Sequence, residues 1–578
     1  MPQPTETTVS NVECQEKPMR NDNVVHPIRQ PGLLTPSVSR RDLVRGAAGV
    51  AGAAVIARGT TRITFAQDAS PVASPTADGR VASTVEGVPD AYTKMPDPFT
   101  SYDGAPGSGG TVTSFQISYN PPPPARDDNA YWQELETRLG VTWEPILTPQ
   151  PSYGEKSAAL IASGDIPDLF YLNPGQNASQ QYVAMSQGAF LDLTPYVTGS
   201  ALEAYPNLAA LPAYMWENVK FQGKIFGVPK PLWRNGNLPF YRGDWLTTLG
   251  IESLSDPQQV HDMLVGFTNN DPDGNGNQDT WGMGRFNSGW NTWDNVLATH
   301  MFGVPNTWRL NDDGTLTYFI ETDEYRQALD YLRQLYADGA YHPDAAGMTF
   351  SDAQNNFISG KTGLHYEGFL SFFGDGSVTD RMREILPSAS TVALIPPGPN
   401  PVVYNETGFF GYTGIPSSLG GDEERVQELL RILDYLAPPF GSEERIFLDS
   451  GLEGVHHEID ANGARITNDR FQNERSALVS LMGGQAVYYY PTEPDLAVQI
   501  QSQALEAIEL GIDNPALTLY SETDVDTSAE LSQLGQDRVT AIVTGRESFD
   551  TLDDAIQQWQ ERGGNQIREE LQRSLAER

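Results

Sequence analysis

From Thr111 to Tyr119 apolar and polar positions alternate, with Phe115, Ile117 and Tyr119 on one face, which predicts a strand; the prolines at 121 to 124 then forbid a helix. Asp127 to Leu139 places Tyr131, Leu135 and Leu139 at i, i+4 and i+8, with Gly140 just beyond, the spacing and stop signal of a helix. Val141 to Leu147 reads as a second strand, Gly154 to Ser163 as a helix closed by Gly164, and Asp168 to Leu172 as a short buried strand. Strand and helix thus alternate at crossover spacing. This predicts an α/β layer with parallel strands, whose ligand crevice lies at their carboxyl ends, near Tyr171 and Asn173. Farther on, Phe221 to Pro231 reads as a hairpin and a Pro-stiffened reversal. Tyr325 to Ala337 and Glu423 to Leu436 carry helical spacing, and Leu552 to Trp559 and Ile567 to Leu575 read as helices split by Gly563-Gly564. No fixed-period repeat runs through the chain, which argues against solenoids and propellers.

The 578 residues, 39% of them apolar, are enough for three or four domains with real cores. A net charge of −38 excludes duplex nucleic acid and anionic lipid as partners. The single cysteine, Cys14, permits neither an internal disulfide nor a thiolate-clustered metal site.

Ser39-Arg40-Arg41-Asp42-Leu43, the Gly/Ala run Gly46 to Ala57, and Thr64-Phe65-Ala66 resemble a twin-arginine export signal, so residues 1–66 are expected to be removed near Ala66. The apolar run falls short of the ~20 residues that a membrane span needs. No cysteine follows it, so no lipid anchor is expected, and the mature chain is expected outside the cytoplasm, in the periplasm or at the cell surface. Residues 67–110, rich in Pro, Ser, Gly and Ala, read as a flexible linker.

Asp271, Asp273, Asn275, Asn277 and Asp279 stand at every second position, with Gly276 sixth in the loop. Calcium takes six to eight hard oxygen ligands from a tightly curled loop whose bend needs glycine, and this pattern supplies them, Asn277 through its carbonyl. Position twelve, where an EF-hand has a bidentate glutamate, is Gly282. A polar loop of Asx-turns is the alternative, because Asp, Asn and Gly favour both.

Several phrases point to one family: Ala162-Ser-Gly-Asp-Ile-Pro-Asp168, Gly188-Ala-Phe-Leu-Asp-Leu-Thr-Pro195, Gly223-Lys-Ile-Phe-Gly-Val-Pro229, Tyr241-Arg-Gly-Asp-Trp245, Ser359-Gly-Lys-Thr-Gly363 and Gly451-Leu-Glu-Gly-Val-His456. In this order they resemble the family 1 extracellular solute-binding proteins of ABC transporters, most of all the large oligosaccharide-binding branch that includes alginate-binding proteins. The tail, with Thr544-Gly-Arg-Glu547, Trp559 and Gly563-Gly564, is similar to that branch as well. The resemblance implies a periplasmic-binding-protein type II fold, two α/β lobes with a ligand cleft between them. It implies an N-lobe of 111–230 plus about 408–475 and a C-lobe of 231–407 plus about 476–578, with crossings near Val228 to Trp233 and Asn405 to Gly411. It also implies a monomeric binding protein that closes on an oligosaccharide and docks on permease subunits, and the loop at Asp271 is similar to a calcium loop of the alginate-binding relatives.

Sugars present flat C–H faces and many hydroxyls, so aromatic platforms and planar polar side chains bind them. Aromatics just past strand ends or crossings are the candidates: Trp233, Trp290, Trp293, Tyr366, Phe369 and Tyr412, with Arg234, Arg242 and Glu367 as polar partners. Core packing is the competing role for each, and an ion pair with Asp244 for Arg242. A secreted glycosidase or lyase is the other function that composition allows, and peptides or other solutes are alternative ligands. No G-x-S-x-G elbow, H-E-x-x-H helix or phosphate-cradling loop supports an enzyme, and adjacent His456 and His457 would point to opposite faces of a strand.

Overall fold

The computed structural model describes residues 75–234, 237–284, 290, 296–374, 377–461 and 463–576, with only the backbone of Asn177, Ser179, Phe369 and Leu370. The export segment at 1–66 and Trp293 lie outside the described residues. Nine strands build two main sheets: β1 (Thr111–Ser118), β2 (Thr142–Pro149), β3 (Leu169–Leu172), β4 (Val228–Pro231), β5 (Asn237–Arg242), β6 (Trp281–Met283), β7 (Thr362–Gly368), β8 (Thr391–Ala393) and β9 (Phe409–Gly414).

The first sheet has the order β2-β1-β3-β9-β4. β1 runs parallel to β2 from Thr111↔Thr142 to Ser118↔Pro149 and parallel to β3 at Phe115↔Phe170, as the crossover spacing predicts. Between them the chain forms α1 (Ala130–Leu139), started by an Asn129 cap that accepts from Trp132 N and ended by Gly140 at φ 70, and α2 (Gln150–Ser163). After β3, α3 (Pro174–Ser186) begins at an Asn173 cap. β9 then enters antiparallel beside β3 and β4, a long-range addition that local periodicity does not announce. Phe115 stacks on Phe170 and Tyr153 at the centre of a core drawn from residues 112–228 and 409–482.

The second sheet has the order β6-β7-β5-β8, with β6 and β7 parallel and β5 antiparallel to both of its neighbours. It is covered on both faces. Along β5, Leu238 and Phe240 enter one core with Phe357 and Phe372, while Tyr241 enters the other with Trp245 and Phe267. The C-terminal helices Glu522–Val543, Thr551–Trp559 and Asn565–Ala576 complete that second core, with Gly563 at φ 142 at the expected break.

The linker expected over 67–110 does not describe residues 79–110. Arg80–Val81 pairs with Ala91–Tyr92, which pairs in turn with Tyr488–Tyr489. Val81, Val88 and Ala91 are buried, and the Gln501 amide donates to the carbonyls of Val81 and Pro89 at 3.0 and 2.9 Å. Ser101 and Ser108 are fixed by Glu444 and Glu428. A loop held through its backbone by distant side chains needs few large apolar residues of its own, so its composition imitates a tether. Leu478, Leu481 and Met482, just past the expected N-lobe segment of about 408–475, pack in the first core.

Candidate functional site

The register of the first sheet puts four strand ends at one edge. β1 and β3 end there at Ser118 and Leu172, followed by Tyr119 and Asn173. β9 is antiparallel, so its beginning, Phe409 and Phe410, lies level with the end of β3; β4, antiparallel to β9, ends there with Lys230 and Pro231. Between Phe409 and Gly411 the register slips by one residue, so Phe410 is an extra residue, a bulge of the kind that re-aims a side chain. Gly411 is required beside it, since a Cβ there would meet Tyr171 Oη at 2.4 Å.

The result is an aromatic floor. Tyr119 and Phe410 sit 6.0 Å apart, 55% and 40% exposed, in a chain whose other aromatics are mostly buried. Asn173 donates from its amide to Tyr119 Oη at 3.3 Å, and its side-chain oxygen caps α3 at Gly175 N. The segment 476–480 folds over the same edge: Ser476 O accepts from Asn120, Ser480 Oγ donates to Ile117 O at 2.6 Å, and Val479 O accepts from Lys230 Nζ at 2.8 Å. Exposed rings flanked by a buried amide, a hydroxyl and an ammonium suit a flat polyhydroxylated solute. Sequence reasoning missed Tyr119 and Phe410. The available signals were a tyrosine at a strand end just before four prolines and a Phe-Phe-Gly run at a crossing.

Several of the expected ligand residues are instead packing residues. Trp233 is 2% exposed, edge-on to Tyr488 at 4.7 Å. Tyr412 is 4% exposed, and Arg242 is buried, bidentate to Asp244 at 2.9 and 2.5 Å and stacked over Trp245. Trp290 is 4% exposed, too close to Gly535 to admit a Cβ there, although it borders a cavity of about 290 Å³ with Trp308, Tyr318, Asp524 and Trp559. Aromatics next to crossings here serve the crossing's own packing, which position alone does not reveal. Arg234 keeps partial exposure but pairs with Asp513 at 2.6 Å. Tyr366 and Glu367 do stand at the carboxyl end of β7, both half-buried, and Phe369 follows at the start of the helix Phe369–Phe372. Burial alone would raise the Glu367 carboxyl, but hydrogen bonds from His365, Gln354 and Ser371 outweigh it and keep it ionised.

A groove of about 970 Å³ runs between the hairpin around Lys220 and the segments at Tyr520 and Glu570, but its lining is mostly polar or charged and Tyr520 is turned onto Phe221. His456 bonds Glu474 at 3.0 Å and His457 bonds Ser450 O at 2.8 Å, so both are structural.

The loop at Asp271 curls tightly, with Asp271 at φ 47, Gly274 at φ 70 and Gly276 at φ 81. Asp271 accepts from the backbone of Asn275 and Gly276, while Asp273 and Asp279 accept from the Asn275 amide at 2.8 and 3.2 Å. Asn277 joins through its backbone N–H to Asn275 Oδ1 at 2.7 Å. The oxygens gather on an amide rather than on one point. Accordingly, no group of three His, Cys, Asp or Glu side chains converges as metal ligands among the described residues. Burial, reinforced by Asp271 and Asp279, raises the Asp273 carboxyl, a strain that a cation would relieve.

Comparison with known proteins agrees with this architecture. Lipoprotein LipO of Bacillus subtilis (strain 168) is 25% identical over 484 residues, 81% of this chain and 93% of LipO. The polygalacturonan/rhamnogalacturonan-binding protein YtcQ of the same organism is 22% identical over 491 residues, 82% of this chain and 94% of YtcQ. The Streptococcus pneumoniae ABC-transporter substrate-binding protein FusA, solved with kestose, superposes with a TM-score of 0.59 at 17% identity, over 81% of this chain and 99% of FusA; an EF-hand mutant of FusA, solved with fructo-nystose, gives the same score. The fold is therefore the type II fold of solute-binding proteins. The model of bacterial extracellular solute-binding proteins matches residues 130–433, more than half of the chain, and the protein belongs to that family.

Proposed function

We propose that the protein is the substrate-binding component of an ABC importer and captures an oligosaccharide outside the cytoplasm. The observation that carries this reading is the exposed Tyr119–Phe410 pair at the edge of the first sheet where the parallel strands β1 and β3 end, the place where a ligand crevice is expected. The relatives' names, which include a fructooligosaccharide and a polygalacturonan binder, support a sugar over a peptide. The ligand lies between two lobes, one around the first sheet and one around the second, with Tyr366 and Glu367 supplying the opposing wall. Lobe closure strips water from each hydrogen bond and presents one face to the permease subunits. The chain acts as a monomer, exported through the arginine pair at Arg40-Arg41.

The loop at Asp271 holds calcium as a structural ion. Asp271, Asp273 and Asp279 supply carboxylates, the Asn275 amide turns its oxygen inward, and the Asn277 carbonyl completes the set. The ion neutralises three clustered acids and does not touch the ligand.

The test is titration calorimetry of residues 67–578 against fructo-, malto- and galacturonate oligosaccharides, with chromatography of each mixture. Saturable binding with the sugar recovered intact supports the reading. Shortened or unsaturated products refute it in favour of an enzyme, and no binding across the panel refutes the oligosaccharide.

A further inference from the structure

Among the described residues no carboxylate pairs with the Lys230 ammonium at the aromatic floor. Lys230 lies on β4 where the chain leaves the first sheet, paired across the bulge with Gly411, beside Phe410. Its ammonium, with three protons to donate, reaches one acceptor, the Val479 carbonyl at 2.8 Å. Among the described residues no carboxylate comes within 4.0 Å of it. The contrast with its neighbours is informative. Arg234, four residues on, is neutralised by Asp513, and Arg475, the nearest other cation, is engaged with Leu448 O and Asp449. In a chain of net charge −38, an ammonium left without a carboxylate is a costly arrangement unless something else completes it.

Four contacts place Lys230 inside the floor. Val479, its acceptor, adjoins Ser480, which bonds the end of β1; Asn120 of the same end bonds Ser476; and Tyr119 between them meets Phe410. The ring closes through the β9–β4 pairing, which puts Lys230 one strand over from the bulge that carries Phe410.

We infer that Lys230 is the specificity-determining residue of the proposed sugar site and that the captured oligosaccharide carries carboxylates, one of which completes the Lys230 ammonium. This rests on the oligosaccharide reading above. Burial and the adjacent Arg475 push the Lys230 ammonium down to about 7, so near neutrality the free protein is divided between charged and neutral forms. An anionic sugar draws it to the charged form, whereas a neutral sugar of the same shape offers it only hydroxyl acceptors. Such a site tells acidic from neutral sugars by one residue, much as a hydrogen-bonding site rejects an analogue that lacks the group.

The experiment compares tetragalacturonate with its methyl ester, which keeps the shape and removes the charge, and with neutral fructo- and malto-oligosaccharides. Calorimetry on wild type, Lys230→Met and Lys230→Arg reads affinity, with melting temperature as a folding check. We expect wild type to prefer the acid over the ester by roughly 10- to 100-fold, the worth of one charge-assisted hydrogen bond. Lys230→Met abolishes that preference by weakening the acid far more than the ester, and Lys230→Arg restores part of it. A variant that loses acid and ester alike, or a wild type that binds only neutral sugars, overturns the inference and leaves the oligosaccharide reading standing. If no carbohydrate binds, both fall.

Discussion

Replacing Tyr119 and Phe410 by alanine tests where the solute lies. The rings are 55% and 40% exposed, and aromatic side chains carry roughly 150–250 Å² each, so each offers about 80–110 Å² to solvent. A pyranose laid on the pair covers one face, about half of that area, or ~80–110 Å² in total. At about 25 cal/mol per Å² this is ~2–3 kcal/mol for the pair and ~1–1.4 kcal/mol for each ring. The single variants are therefore expected to weaken binding by roughly 5- to 10-fold and the double variant by roughly 30- to 100-fold. Because the rings touch, at 6.0 Å, the double loss should differ from the product of the single losses. Stability should change little, since neither ring fills the core. Ile385→Ala, at a 63% exposed position, is the control for exposed apolar truncation in general. The assay is calorimetry with the tightest oligosaccharide of the panel, each variant first matched to wild type by thermal melting. Tyr119→Phe separates the ring from the hydroxyl that accepts from Asn173 at 3.3 Å, and should cost no more than a few-fold. A double variant that binds as tightly as wild type would refute the placement of the solute on this edge.

Calcium at about 10 mM should stabilise wild type by roughly 1.4–2.7 kcal/mol if the loop has the ~10⁻⁴ to 10⁻³ M affinity of extracellular modules, read as a melting shift that Asp273→Asn removes; an equal shift in both proteins counts against the site. Asp434 is 1% exposed, and burial pushes its carboxyl up to about 6 although Leu208 N and Asn207 donate to the residue. Its folded pKa lies above the unfolded value near 3.8, so ionisation destabilises the fold increasingly from pH 3.8 to about 6, by about 2–3 kcal/mol in full. Asp434→Asn should therefore flatten the loss of stability over that window and leave the protein more resistant to urea at pH 8; parallel wild-type and variant curves would contradict this. Glu570 has the opposite sign. Burial would raise it, but hydrogen bonds from Ser521, Thr523 and Gln566 hold it near 2, so its contribution is present above about pH 4.5 and is lost toward pH 2. Glu570→Gln should cost about 1.5–3 kcal/mol at pH 7 and progressively less on acidification, measured by thermal melts across pH.

What could be read from the sequence follows from the range over which each structural cause acts. The strand at Thr111–Ser118 alternates because one side of its pleat is core, and the helix before Gly140 stops because the next residue takes φ 70; both causes lie within a few residues and both were legible. The aromatics show the other case. Trp233 and Phe410 are both aromatics at a crossing, yet one is buried and the other is 40% exposed. Trp233 is buried because Tyr488, brought in by pairing with Ala91–Tyr92, packs on its edge, and Phe410 is exposed because β9 slips register by one residue against β4. Neither cause lies near the residue it governs. The same non-local pairing makes a packed element of residues 79–110, whose composition reads as a tether. It also draws Tyr119 and Phe410 together, because β9 enters antiparallel between β3 and β4 only after the chain has built the second sheet. In a fold whose chain crosses repeatedly between two sheets, residues at the crossings divide into those that fix the crossing and those left facing the crevice. That division is set by strand register, so the floor of the site could be found only after the strands had been paired.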